Sequence, residues 1–251
     1  MYPAYSPYAP PAVCVRFDEH GVHVTYAADL AESLHVPLLV STSIPHGALA
    51  EEVVRRVRES VCSCFKKPHS ALVSVVDAPL FQKGGVHLSI VVSCETGHKG
   101  LPVLSPAGEK RVFRGKERRI FAPLGNGRSA FTTAKYALCL AEKLEAQVLF
   151  WHTTWAKKGL TSADPKDHVC AEAAEVLSQI EKLAATHRVK WNIKIDKAPT
   201  VVEGIVRTAL REHASLIVMA RGKRTRFGAY PDTIRERNCP IPLLILGREG
   251  E

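Results

Sequence analysis

The sequence lacks the patterns that mark membrane and exported proteins. No apolar run approaches the roughly 18 residues that a membrane-spanning helix needs, so no membrane insertion is expected. Residues 1–11 are rich in tyrosine and proline, with neither a basic start nor an apolar core, which argues against a secretory signal. We therefore expect a cytoplasmic protein whose first eleven residues form a flexible tail.

Cysteine and histidine are not arranged for disulfides or for a metal. The seven cysteines are odd in number and scattered, which fits a reducing compartment. Cys62 and Cys64 form the single close pair, and a zinc site there would need two further ligands, a spacing that nearby His69 does not complete. None of the 11 histidines stands in an H-x-x-x-H or H-E-x-x-H spacing, so no metal site is predicted.

Catalytic motifs are equally scarce. There is no G-x-S-x-G nucleophile turn. The segment Gly125–Ala130 matches the dinucleotide fingerprint G-x-G-x-x-A, but Trp151–Thr154 stand where the confirming acidic residue should end the next strand. His152 in that segment could contact a ligand, although a buried structural histidine is the favoured interpretation. We predict that the protein is not an enzyme, and a nucleotide-dependent enzyme is the weakest alternative.

The excess of positive over negative charge lies entirely in the second half of the chain. The net charge is +9, yet residues 1–110 carry 9 basic and 10 acidic residues, which leaves 25 of the 34 basic and 15 of the 25 acidic residues for the remainder. The basic residues cluster in Arg111–Arg119 and Arg221–Arg226. Such clusters attract nucleotides, nucleic acid or acidic partners, and they also keep proteins soluble. Sequence-specific nucleic-acid binding is not predicted, because no recognised binding module is present.

The second half alternates predicted strands with predicted helices. The order is β-α-β-α-β-α-β-α-β, which implies a parallel sheet with helices on both faces. Thr200 and Glu203 have the spacing of a capping box at the start of the third helix. The predicted strands are residues 119–124, 147–152, 190–195, 215–220 and 242–246, and the predicted helices are 130–144, 169–187, the segment after 200, and 231–238.

The first half repeats part of this pattern at a constant offset. Leu30–Leu34 followed by Leu38–Val40 corresponds to Leu140–Leu144 followed by Val148–Phe150, with every pair 110 positions apart. The other predicted elements are strands at 12–17, 71–76 and 86–92, a helix at 51–65, a third helix missing or reduced to 79–83, and little regular structure over 93–118 apart from the apolar 101–104. We therefore predict domains at 12–104 and 119–251, joined by a linker at 105–118.

Residues 119–247 resemble a universal stress protein domain. The resemblance is carried by Ile120–Gly127 and Leu216–Gly222. Its most specific part is the last segment, Cys239–Ile245, in which prolines precede the final strand. The internal repeat extends a weaker resemblance to residues 12–104. The resemblance implies two tandem open parallel five-stranded sheets flanked by helices, of the HUP or adenine-nucleotide alpha-hydrolase-like type, with the first copy eroded.

Members of that family that bind ATP use an Asp at the end of the first strand, a Gly-x-x-Gly loop after the fourth, and a Gly-Ser/Thr before the last helix. Backbone amides at such places bind phosphates. In the second half, Gly125 occupies the Asp position, Gly222 and Gly228 are separated by five residues, and Thr233 is the first serine or threonine after Gly228. We therefore do not predict ATP binding there in the family's usual manner.

The first half departs from the pattern differently. Asp18 falls where the family's Asp would stand, and Gly97 and Gly100 form a Gly-x-x-Gly. No final helix is predicted after them to supply a phosphate-binding N-terminus. Neither half therefore has a complete site by the family's pattern.

The candidate ligand-binding residues belong to both halves. The basic cluster after the fourth strand of the second half could hold ATP or another phosphate-bearing ligand in place of the lost glycine amides, or form a solvated loop, or dock on acidic residues of another subunit. We expect a non-catalytic regulatory protein. The alternative is a pure interaction module whose fifth-strand edge contacts a second copy, as a homodimer, or another protein partner. The candidates are Gly125, Asn126, Gly127, Ser129, Arg221, Gly222, Lys223, Arg224, Gly228, Thr233 and Asp18.

Overall fold

A computed structural model gives the fold of most of the second half and of the core elements of the first. It describes residues 13–16, 22–34, 38–42, 73–77, 90–92, 103–105, 118–125, 127–155, 169–220, 230–237 and 239–246. The predicted tail at 1–11, the predicted helices at 51–65 and 79–83, and residues 106–117 of the predicted linker lie outside this set.

The described elements follow the predicted alternation of strands and helices. In the first half they are β1 (Val13–Arg16), α1 (Val22–Leu34), β2 (Leu38–Thr42), β3 (Val73–Asp77), β4 (Ile90–Val92) and β5 (Val103–Ser105). In the second half they are β6 (Arg119–Pro123), α2 (Arg128–Leu144), β7 (Gln147–Trp155), α3 (Ala171–Ala184), β8 (Trp191–Ala198), α4 (Val201–Arg211), β9 (Leu216–Ala220), α5 (Tyr230–Glu236) and β10 (Leu243–Leu246).

The strands form one sheet in the order β3-β2-β1-β4-β5-β10-β9-β6-β7-β8. Each half is a parallel five-stranded sheet with its first strand in the middle, and the two orders mirror each other. The predicted five-stranded parallel sheets are therefore confirmed. They are not separate, because β5 and β10 pair antiparallel and join them.

This junction corrects one part of the interaction hypothesis. The alternative of a pure interaction module needs the edge of the last strand to be free for a second copy or another partner. In the structure β10 has β9 on one side and β5 of the same chain on the other. That edge is already occupied, so the version of the hypothesis that depends on it is wrong.

The internal repeat is visible in the helices and in the strands that follow them. Leu30 in α1 and Leu140 in α2 each lie four residues before the last residue of their helix, and both are buried. The two helices contribute to the same core. We expected the first copy to have lost part of the regular structure of the second. It nevertheless has five strands, because β5 is the fifth.

Alternate residues of β7 pack against two different layers of helices. Val148 and Phe150 of β7 pack in the core cluster that contains α2 and α3, whereas Leu149 and Trp151 pack in the cluster that contains α4. Strands that are covered on both faces read as continuous apolar runs, and the four residues of β10 are buried without exception. The part of the sheet formed by the second half therefore lies between two layers of helices, as the alternating sequence predicted.

The predicted start of α4 is confirmed, and one of its large apolar residues is exposed. Thr200 is the N-cap, and its side-chain oxygen accepts a hydrogen bond from the backbone N–H of Glu203 at 3.2 Å. Val202, Ile205 and Ala209 are buried, but Leu210 is 44% exposed. Leu210 stands 100° around the helix from Ala209 and falls outside the buried stripe.

Candidate functional site

The ends of two neighbouring strands define the candidate site. Strands β6 and β9 are adjacent and parallel, with Ile120 paired to Leu216 and Phe121 to Ile217. Their carboxyl ends therefore meet at one edge of the sheet, which is where open α/β folds bind ligands. Leu124 follows the end of β6 directly, and Arg221 is the next residue in the chain after the end of β9.

The turn after β6 is held by hydrogen bonds at Leu124, and its two glycines are exposed. Leu124 donates its backbone N–H to the carbonyl oxygen of Trp151 at 2.7 Å, and its own carbonyl oxygen lies 3.2 Å from Nδ1 of His152. Gly125 and Gly127 are exposed, and a Cβ added to either one would meet no atom within 4 Å. Crowding by the described residues therefore does not require these glycines.

Helix α2 begins at this edge without a side-chain cap. Its N-cap is Gly127, no side chain caps it by a hydrogen bond, and its first turn contains no acidic residue. The first N–H groups of a helix have no partner within the helix, and the helix dipole places partial positive charge there. Ser129 in this first turn is exposed. The start of α2 therefore favours an anion.

Thr133 connects the start of α2 to the end of β9. Its hydroxyl donates to the carbonyl oxygen of Ser129 at 2.8 Å and accepts from the backbone N–H of Ala220 at 3.1 Å. Only 1% of Thr133 is exposed. Sequence reasoning missed this residue, although a hydroxyl between the core residues Ala130 and Ala134 was a usable signal.

His152 is a buried residue bonded to the backbone. Burial lowers its pKa below the ordinary value of 6.5, and the hydrogen bond to Leu124 opposes this only in part. The neutral imidazole with its proton on Nδ1 can donate to the carbonyl oxygen of Leu124. This arrangement supports the structural interpretation of His152, which holds the turn that carries Gly125.

The structure brings together only some of the predicted site residues. Gly125, Gly127 and Ser129 lie at the shared edge of β6 and β9. Thr233 lies in α5, next to Ile234, which packs in the core cluster of α4. The remaining candidates lie outside the described residues, and their role stays a prediction: Asp18, Asn126, Arg221, Gly222, Lys223, Arg224 and Gly228.

Other site classes were sought among the described residues. That part of the chain contains no group of three or more histidine, cysteine or acidic side chains that could hold a metal ion. Nor does any helix within it have the length and apolarity to cross a bilayer. At the end of β7, where a dinucleotide-binding fold needs a carboxylate, stand the buried His152 and Thr154. The dinucleotide interpretation therefore gains no support.

Comparison with known proteins places the fold. No family model matches the sequence, and no curated protein matches it significantly. The crystal structure of a universal stress protein from Archaeoglobus fulgidus matches with a TM-score of 0.64 and 15% identity, covering 97% of this chain and 99% of that one. The chain has the universal stress protein fold.

A second solved structure is also similar to this chain over both halves. A functionally unknown protein from Pseudomonas aeruginosa matches with a TM-score of 0.61 and 13% identity, covering 96% of this chain and 94% of that one. Both matches cover more than nine tenths of this chain.

Proposed function

We propose that this chain is a universal stress protein-like regulatory protein, without catalytic activity, that binds a phosphate-bearing ligand at the shared edge of β6 and β9. The observation that carries the proposal is the adjacency of those two strands. It supports the proposal because the uncapped start of α2 follows β6 in the chain and the basic segment Arg221–Arg226 follows β9. We place the protein in the cytoplasm, with a homodimer or another protein as its expected partner.

Charge supports an anionic ligand. Four of the six residues in Arg221–Arg226 are basic, and the first turn of α2 has no acidic residue to compete with a ligand. Arginine and lysine form short, charge-assisted hydrogen bonds with phosphate oxygens. Helix N–H groups and basic side chains on two neighbouring segments would therefore hold phosphate from two sides.

ATP itself is expected to bind weakly. Gly125 removes the carboxylate that the family's pattern places on the adenine side, and no Gly-Ser/Thr precedes α5. Losing two or three such contacts, at roughly 1.5–3 kcal/mol each, moves a dissociation constant well above micromolar. The proposed ligand is therefore recognised mainly by its phosphate groups.

The described side chains at the edge favour binding over catalysis. General-base or nucleophilic catalysis needs a base within hydrogen-bond reach of the group that it activates. His152, the one histidine that we place beside the turn, lies 3.2 Å from a backbone carbonyl oxygen and is buried. This supports a regulatory protein and not an enzyme.

Titration calorimetry of the full chain tests the proposal. We expect inorganic pyrophosphate to bind at low ionic strength, to bind more weakly at high ionic strength, and to raise the melting temperature. ATP should bind no more tightly than pyrophosphate. Absence of pyrophosphate binding at low ionic strength would contradict the proposed function. Low-micromolar ATP binding would contradict the claim that the ligand is recognised mainly by its phosphate groups.

A further inference from the structure

We infer that the outer edge of β8 is a dimer interface, at which β8 of a second copy of this chain pairs with it in the antiparallel direction. The inference gives a surface to the homodimer expected in the proposed function, and it does not depend on the anion site. Strand β8 is the last strand of the sheet order, and among the described residues it pairs with β7 alone. It has eight residues, whereas β3 at the other end of the order has five.

Half of the backbone groups of β8 face away from β7. Val148 of β7 donates its N–H to the carbonyl oxygen of Lys190, the residue before β8, at 2.9 Å. The N–H and C=O of one strand residue point to the same side, and that side alternates along the strand, so the even-numbered residues bond to β7. Ile193, Ile195 and Lys197 therefore present their N–H and C=O groups at the outer edge, where another strand can pair with them.

The same edge carries apolar side chains that the described part of the chain covers only in part. Trp191, Ile193 and Ile195 pack against the core cluster that contains α2 and α3, yet each of them is only half-buried. A long edge strand with apolar side chains is a template for pairing with another chain. A second strand at this edge covers the outward backbone groups and these side chains together.

Charge selects one register for two antiparallel copies of β8. Pairing centred on Ile195 places Lys194 of each copy opposite Asp196 of the partner subunit, and opposite charges at such positions stabilise a sheet. Pairing centred on Lys194 or on Asp196 would place two like charges directly opposite each other, which destabilises it. The strand is therefore complementary to itself in the register centred on Ile195, and this favours a second copy over an unrelated partner.

Both charged side chains can take a further partner. Lys194 Nζ donates to Glu212 Oε1 at 2.6 Å, and an ammonium group has three protons to donate. The hydrogen bonds that the structure gives to Asp196 all end on Oδ2, so Oδ1 can accept from a lysine of the partner subunit. Because bonds within the chain already hold both side chains, pairing orders few additional groups.

Sedimentation equilibrium of the full chain, without added ligand, tests whether the dimer forms. We expect the mass to rise with concentration to that of two chains. Lys194→Glu should weaken dimerisation by about tenfold or more, because it places carboxylates opposite each other at two positions. Lys197→Glu is the matched control. It makes the same change of charge in the same strand but stands opposite Ile193 of the partner subunit, so it should dimerise within about threefold of the parent. The melting temperature of each variant shows whether it is folded.

Cysteine substitution tests the register. At the centre of the pairing Ile195 lies opposite itself, at the Cα separation of about 5.5 Å that a disulfide can span. Ile195→Cys should form a covalent dimer under mild oxidation, above the background set by the cysteines of the parent. Ile193→Cys, half-buried in the same strand, should do so only when it is mixed with Lys197→Cys, because residues 193 and 197 lie opposite each other in this register.

The outcomes separate this inference from the anion site. A parent chain that stays monomeric at every concentration would overturn both the inference and the expected homodimer, while pyrophosphate binding, measured separately, decides the anion site. A dimer that Lys194→Glu does not weaken, and that Ile195→Cys does not cross-link, would overturn the inference alone, because the two copies would then meet at another surface.

Discussion

Leu104 lies directly opposite Leu244 where the two halves of the sheet meet. Both side chains are buried, Leu104 at 0% exposure and Leu244 at 1%. Only three residues of β5 form this antiparallel junction, yet Leu104 packs in the same core cluster as residues of α1 and α2. The core of the second half is therefore completed by the first half, although the candidate site lies entirely in the second.

Shortening Leu104 should destabilise the whole chain. We expect Leu104→Ala to lower the free energy of unfolding by about 2–5 kcal/mol, because the junction would be left with a cavity. Leu210→Ala is the matched control, since Leu210 is 44% exposed, and it should change stability by less than about 0.5 kcal/mol. Chemical denaturation measures both variants. Equal losses for the two would mean that the junction contributes nothing specific.

Gly204 in α4 is required by close packing. A Cβ at this position would lie 2.7 Å from Cβ of Ala198 and 2.7 Å from Cη2 of Trp151. The Trp151 ring is held in place, because its Nε1 donates to Asp196 Oδ2 at 3.0 Å. Gly204 therefore permits the approach of α4 to the sheet.

Gly204→Ala should accordingly destabilise the protein. Alanine gains about 0.5–1 kcal/mol over glycine in a helix interior, but overpacking costs about 1–3 kcal/mol, so the net change is a loss. Gly125→Ala is the control, because a Cβ there meets nothing within 4 Å. Thermal unfolding compares the two variants, and a Gly204→Ala protein as stable as the parent would contradict the packing seen here.

His152 should make stability depend on pH. Burial lowers its pKa in the folded chain below the ordinary 6.5, so the unfolded chain binds more protons as the pH falls below that value. Its contribution to stability is therefore present above pH 6.5 and is lost as the pH falls through the folded pKa. In His152→Asn the amide can still donate to Leu124 without titrating.

The measurement is the free energy of unfolding from neutral to mildly acidic pH. The parent should lose stability in that range, and His152→Asn should lose less. Curves of equal slope for the two proteins would show that His152 does not titrate with a lowered pKa.

The sequence predicted the second half well because its strands and helices have strong local signals. The predicted strand at 242–246 contains β10, and the predicted helix at 130–144 covers most of α2. The constant offset of 110 predicted the equivalent positions of Leu30 and Leu140. Such features depend on residues close together in the chain.

Features that depend on distant residues could not be predicted in the same way. Strand β5 has three residues, too few to show a period of two, and its antiparallel pairing with β10 has no local signal. The bond between Thr133 and Ala220 spans 87 positions and also has none. The adjacency of β6 and β9 likewise joins residues 96 positions apart, such as Ile120 and Leu216.

Pyrophosphate binding by a variant that lacks three basic residues tests the proposed function most directly. The variant replaces Arg221, Lys223 and Arg224 with alanine in the full chain. Its control replaces Lys182, Arg188 and Lys190, which are exposed and lie where α3 leads into the amino end of β8, at the opposite edge of the sheet. Both variants lose three positive charges, so a general effect of net charge would be shared.

We predict that the first variant no longer binds pyrophosphate in titration calorimetry at low ionic strength, while its stability changes by less than about 1 kcal/mol. The control should bind as the parent does, with the same dependence on salt. Parent-like binding by the Arg221, Lys223 and Arg224 variant would contradict an anion site at the shared edge of β6 and β9.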